Sequence, residues 1–126
     1  MDDVQLMFFL LGLLFVKHFI VDFVLQTSYQ LQNKGTYGHP GGILHAGIHG
    51  LGTWMCLTLF VVSPYALFFG IVDTFIHYHI DWAKVKISTK YAWNSNQPEF
   101  WFFFGLDQLL HSVTYVVIIG LLAGAF

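Results

Sequence analysis

The sequence predicts an all-α fold: an integral-membrane four-helix bundle with up-down-up-down connectivity, in a single domain over residues 1–126. Three observations predict it. Of 126 residues, 56% are hydrophobic and 10% are charged, whereas a soluble domain carries about 25% charged residues; the mean hydropathy is +0.65. Four apolar segments each approach the roughly 20 residues that cross a bilayer. Each of the four also carries an i, i+4 pair drawn from histidine and aspartate, which a helix places on one stripe.

The first span is expected over residues 4–26, interrupted by Lys17, His18 and Asp22 in its second half. Met1-Asp2-Asp3 is acidic where a cleavable signal wants a basic start, so this segment is expected to remain as a helix. Thr27 to Gly42 is polar and ends in His39-Pro40-Gly41-Gly42, which reads as a loop, with a short interfacial helix over residues 28–34. The second span covers residues 43–62. Ser63-Pro64 then marks a tight turn, with serine as N-cap and proline at the first helical position. The third span runs over residues 64–83 and a polar loop over 85–97. Asn96-Gln97-Pro98-Glu99 is a second cap-then-proline start, opening a fourth span over residues 99–122.

With four spans the connections alternate sides. Lys34, Lys84, Lys86 and Lys90 all fall in or beside the first and third loops, so the positive-inside rule puts those loops in the cytoplasm and both termini outside. Trp82, Trp93 and Trp101 gather at the same end, where an aromatic belt belongs. The chain has no arginine and five lysines, too few for a nucleic-acid footprint. Cys56 is the sole cysteine, which excludes an internal disulfide and a cysteine metal site.

The chemistry lies in the pairs His18/Asp22, His45/His49, His77/Asp81 and Asp107/His111. Each ionisable group at a membrane-helix centre costs roughly 2.5–3.5 kcal/mol. In an alternating bundle rising 1.5 Å per residue, all eight fall in one layer, roughly 3–18 Å below the cytoplasmic surface. Neutral imidazole and carboxylate are ligands for zinc, manganese and iron, and helix bundles build metal sites from such inward residues. The layer is therefore expected to hold a divalent transition metal, one or two ions. The simpler alternative is a metal-free hydrogen-bonded network between helices. Around the ligands, Asp73 is expected to orient His77, Gln26 and Gln108 to hold water or a substrate oxygen, and Lys84 to stand at the cytoplasmic mouth. Lys17, about 100° from His18 around the helix, is given no part in the pocket, and His79 and His39 are read as ordinary. The Phe100–Phe104 run is read as lipid-facing bulk, and Gly47, Gly50 and Gly52 as sites of close helix contact, within or between chains.

The motifs His18-x3-Asp22-x3-Gln26, His45-x3-His49, His77-x3-Asp81-x2-Lys84 and Asp107-Gln108-x2-His111, together with Lys34, resemble an uncharacterised family of small bacterial and phage membrane proteins. The resemblance covers almost the whole chain. It implies a polytopic fold in a bacterial inner membrane and singles out these same positions, but no activity. A looser similarity, in the helix-borne histidines and aspartates, is to predicted membrane-bound metal-dependent hydrolases.

Together these readings give metal-assisted hydrolysis of a lipid or amphiphile as the expected function, with Asp22 as candidate general base and membrane lipid as partner. A homo-oligomer is compatible with the glycines. The alternatives are a carrier or channel for a metal ion or protons, haem ligation by facing histidines, and a purely structural protein.

Overall fold

The computed structural model describes residues 1–61 and 63–124; of Ser63 only the backbone is described. The architecture is all-helical, with no strand among the described residues. The helices are α1 (Asp3–Phe19), continued by a π-helical turn over Ile20–Val24, then α2 (Ser28–Asn33), α3 (Pro40–Thr58), α4 (Ser63–Lys90) and α5 (Pro98–Ala123).

Local chemistry sets most of the boundaries. Asp2 caps α1 with a capping box, its carboxylate accepting from the Gln5 N–H at 2.8 Å. Thr27 and Gln30 form the same device for the short α2, at the place expected for an interfacial helix. Pro40 opens α3 at N1, and the His39 ring nitrogen accepts from the Gly41 N–H. The expected loop at residues 39–42 is therefore the first turn of a helix. Proline at N1 permits this, and bare Gly41 and Gly42 let α2 approach, with Tyr29 O and Lys34 Cα against the places their Cβ atoms would take. Pro98 opens α5 as expected, although Gln97 makes no side-chain cap bond. The serine cap expected at Ser63 falls where Val62 and the Ser63 side chain lie outside the described residues.

Two helices differ from expectation in length or form. The third runs on to Lys90, leaving only residues 91–97 as a connection, because Val85 to Lys90 contains no breaker and continues the helix beyond the apolar stretch. The first is not a continuous α-helix. At Ile20–Val24 the chain widens, and the Leu25 N–H bonds to Ile20 O at 2.9 Å, an i→i+5 link. Such single π turns recur at functional sites, and Asp22 stands in the middle of this one.

The four long helices pack antiparallel in sequence order. His45 meets His77 while Gly50 meets Gly70, so α3 and α4 run opposite ways. His77 meets His111 while Lys84 meets Phe104, which does the same for α4 and α5. Lys17 reaches His49 O while His45 meets Asp22, and Phe15 meets Tyr115 while Phe23 meets Phe104, so α1 runs against both α3 and α5. One end of this bundle has an ordinary apolar core, built on Leu10, Leu14, Leu57, Ile118 and Leu122. The other end is filled with polar side chains. Two helical stretches, Asp3–Val24 and Pro98–Ala123, are long and apolar enough to cross a membrane.

The glycines of α3 divide by face. Gly50 lies against Gly70 O and Thr74 of α4, Gly52 against the aliphatic stem of Lys17, and Gly47 faces open space. Two of the three therefore serve contact within the chain. A side chain at Gly50 must push two helices apart, and overpacking of this kind costs about 1–3 kcal/mol. Gly50→Val should lower the melting temperature in detergent, while Gly47→Val should leave it within error. Equal effects of the two would contradict this register of α3 on α4.

Candidate metal centre

Every one of the eight sequence-predicted ligands is buried, and the bundle brings all eight into one connected cluster. Asp22, lifted inward by the π turn, is its hub. Three imidazole nitrogens converge on its Oδ1: His49 Nε2 at 3.0 Å, His45 Nε2 at 3.1 Å and His77 Nε2 at 3.8 Å. His45 Nε2 and His77 Nε2 face each other at 3.3 Å. Asp22 Oδ2 lies 3.1 Å from His18 Nε2 and accepts from the Gln108 amide at 3.2 Å.

A second group adjoins the first and shares His77. Asp81 Oδ2 lies 3.5 Å from His77 Nε2 and 3.2 Å from His45 Nε2, and Asp81 Oδ1 lies 3.4 Å from His111 Nε2. Asp107 Oδ1 is 3.5 Å from His111 Nε2. The imidazoles of His49, His77 and His111 form a stack, with centroids 3.6 Å and 4.0 Å apart. One candidate ligand set is Asp22, His45, His49 and His77, and another is His77, Asp81 and His111; within each, the donor atoms lie within 4.8 Å of one another.

These distances fit a cation. Four donors placed tetrahedrally at about 2.1 Å from zinc are roughly 3.4 Å from each other, and the pairs quoted for the first set span 3.0 to 3.8 Å. They fit a simple hydrogen-bonded network less well. One carboxylate oxygen has two lone pairs, and here three ring nitrogens compete for it. Both Asp81 oxygens, Asp107 Oδ1 and His111 Nε2 are buried without a hydrogen-bond partner, although opposite groups stand nearby. The far ring nitrogens, Nδ1 of His45, His49 and His77, also lack one. Nitrogens and carboxylate oxygens gathered this closely form a donor set that could hold a metal ion.

The supporting residues are arranged differently from the sequence expectation. Lys17 is not turned away. Its stem crosses the surface left bare by Gly52, and its ammonium donates to Asp73 at 3.0 Å, Tyr115 OH at 2.9 Å and His49 O at 3.2 Å. A long lysine stem covers the angle that made Lys17 seem misplaced on its helix. Asp73 is accordingly engaged by Lys17 and by the Thr53 hydroxyl at 2.5 Å, not by His77. His18 gains its partner from Tyr115, whose hydroxyl lies 3.1 Å from Nδ1, and from Gln108 Oε1 at 3.1 Å from Nε2.

At the other end, Lys34 and not Lys84 stands beside the cluster. Buried at the end of α2, Lys34 places its ammonium 3.1 Å from Asp81 Oδ2. Lys84 instead lies over the Phe104 ring, 5.2 Å from its centroid. Gln108 bridges Asp22 and Asp107, whereas Gln26 donates back to Asp22 O and leaves its Oε1 buried and unpartnered. His79 pairs with Tyr37 and Phe75 O, away from the cluster.

Sequence reasoning missed Lys17, Thr53 and Tyr115 and gave Lys34 no part in the pocket. Thr53 and Tyr115 were within reach, since each lies four residues beyond a ligand, at His49 and His111, on the stripe already identified. Lys34 carried no periodic signal, because it arrives from a connection.

The chain belongs to the DUF3307 family, described as a protein of unknown function, whose family model matches residues 10–125. No curated protein and no solved structure matches the chain.

The Lys17–Asp73 pair offers a direct check on this core. Removing one member of a buried pair costs about 3–5 kcal/mol, because it strands the other charge, whereas neutralising both costs far less. Lys17→Met should therefore lower the melting temperature strongly, and adding Asp73→Asn should recover most of the loss. A double variant as unstable as Lys17→Met alone would mean that the two are not coupled.

Proposed function

We propose that the chain spans a membrane with its four long helices and holds one divalent transition metal ion, through which it hydrolyses a lipid or amphiphilic substrate. The membrane reading is supported by an inverted distribution of polarity. Among the described residues, buried polar and charged side chains outnumber buried apolar ones, while Phe8, Phe19, Leu51, Phe68, Phe75 and Phe102, among many others, point outward. Water does not tolerate such an exterior in contiguous patches, and hydrocarbon favours it. Lys84, Lys86 and Lys90 at the end of α4 support a cytoplasmic setting for that end, in a bacterial inner membrane.

The observation that carries the metal reading is the convergence of His45, His49 and His77 on Asp22 Oδ1. Charge balance argues for one ion. The buried carboxylates are Asp22, Asp73, Asp81 and Asp107, and the buried ammonium groups are Lys17 and Lys34. With neutral imidazoles, Lys17 offsets Asp73 and Lys34 offsets Asp81, leaving two negative charges. One divalent cation neutralises them, whereas two would leave an equal positive excess. Uncompensated buried charge costs several kcal/mol per ion.

When bound, such an ion supplies Lewis acidity and a lowered pKa for coordinated water. The chain's own groups then divide the remaining work. Asp22 has both oxygens engaged, by imidazoles on one side and by His18 and Gln108 on the other, so it serves as a ligand rather than the free base. Asp107, whose Oδ1 accepts no hydrogen bond, is better placed to take a proton. Gln108 fixes Asp22 and Asp107 relative to each other. The carrier or channel reading gains no support, because the packed Leu10, Leu14, Leu57 and Leu122 close the opposite half of the bundle.

Elemental analysis of protein purified in mild detergent should find one equivalent of a transition metal per chain. A His45→Ala/His49→Ala variant should retain less than a tenth of it, given that even losing a hydrogen-bond partner of a ligand costs about 10–100-fold in affinity. Metal retained undiminished by that variant, or absent from the parent, would overturn the assignment.

A further inference from the structure

A shallow groove runs between α4 and α5 on the outside of the bundle, with a volume of about 380 Å³. Its walls are apolar, formed by Ile76, Ile80, Ala83, Leu106 and Leu110, and two charged residues border it, Lys84 and Asp107. Asp107 is also a member of the buried cluster, in reach of His111. The other described grooves contain no residue of that cluster.

At Lys84 the groove meets a second recess of about 450 Å³, lined by Ser88, Thr89, Trp93 and Phe100. The Ser88 hydroxyl there is buried without a partner. Among the described residues the lysine ion pairs are those of Lys17 and Lys34, so the Lys84 ammonium makes no ion pair there and lies over the Phe104 ring. An apolar channel thus leads into a recess with one uncommitted cation and one uncommitted hydroxyl. Asp81 and Lys84 are three residues apart on α4, about 4.5 Å along the axis. Asp107 and Phe104 are offset by the same amount on α5, so the carboxylate sits one step inward from the ammonium.

We infer that this groove binds the hydrocarbon chain of an anionic amphiphile, with its headgroup at Lys84 and Ser88 and the adjoining polar linkage alongside Asp107. The occupant follows from complementarity: a chain for the apolar walls, a negative head for the unpaired lysine. As a statement about substrate, the inference rests on the hydrolase reading; as a statement about binding, it stands apart from the metal.

The test uses the full chain in mild detergent, a long-chain fatty acid carrying a mid-chain diazirine, and the matching fatty alcohol as an uncharged comparator. After irradiation, peptide mapping should place the acid's label on α4 and α5 around Ile80 and Leu106. Labelling should be weaker in the wholly apolar groove near Met7, Leu11 and Val116. Ala83→Trp should abolish the first label and leave the second. Lys84→Gln should reduce labelling by the acid roughly fivefold, the worth of one partly exposed ion pair, and leave labelling by the alcohol unchanged. Lys84 is partly exposed, so its variant keeps the test decisive where Ala83→Trp fails to fold. Equal labelling of both grooves is ordinary lipid solvation and overturns the inference, as does indifference of the acid to Lys84→Gln. Metal content measured on the same samples separates the two claims. Selective labelling without metal sinks the metal centre alone, and metal without selective labelling sinks the groove alone.

Discussion

The arrangement depends on one constraint: charge withdrawn from water must be cancelled within a few ångströms. Four carboxylates and two ammonium groups lie in the interior of this bundle, and most of their positions can be traced to that requirement. Lys17 bends across Gly52 to reach Asp73. Lys34 turns in from the end of α2 to reach Asp81. The π turn in the first helix aims Asp22 at three imidazoles. With neutral imidazoles those contacts leave two negative charges, which the proposed divalent cation would cancel, so the metal proposal and the packing rest on the same electrostatic requirement.

Within that constraint the helices differ in their contributions. The α3–α4 pair is the most closely joined, because Gly50 and Gly70 bring backbones together and set His45 and His49 against His77. The first and last helices supply Asp22, His18, His111 and Asp107 from the facing side, tied through Gln108 and Tyr115. The polar interior is layered. The ligands occupy one level, and the Lys17, Asp73, Thr53 and Tyr115 group lies next to it toward the apolar end. Beyond comes ordinary leucine and isoleucine packing.

Much of this was legible in the sequence. The i, i+4 pairs identified all eight clustered residues because helical periodicity alone decides which side chains share a stripe, and the alternation of four segments decides that the stripes share a depth. The proline-marked start of α5 and the short helix after residue 27 were legible for similarly local reasons. The remainder depended on information that is not periodic. The π turn at Asp22 leaves no composition signal, since Ile20 to Val24 is as apolar as its flanks. The direction of Lys17 follows from a glycine on another helix, thirty-five residues away in sequence. Lys34 replaced Lys84 beside Asp81 because α2 packs on the first turn of α3, which a reading of His39 to Gly42 as loop had hidden. α4 outran its apolar stretch because hydropathy marks the membrane-like portion of a helix and not its end.

X-ray absorption at the metal edge of zinc-loaded protein tests the central claim most directly. The arrangement predicts a nitrogen and oxygen shell at about 2.0–2.1 Å with the outer-shell scattering of two or more imidazoles, diminished in the His45→Ala/His49→Ala variant. A shell dominated by sulfur, or a spectrum without imidazole scattering and unchanged by that variant, would contradict it.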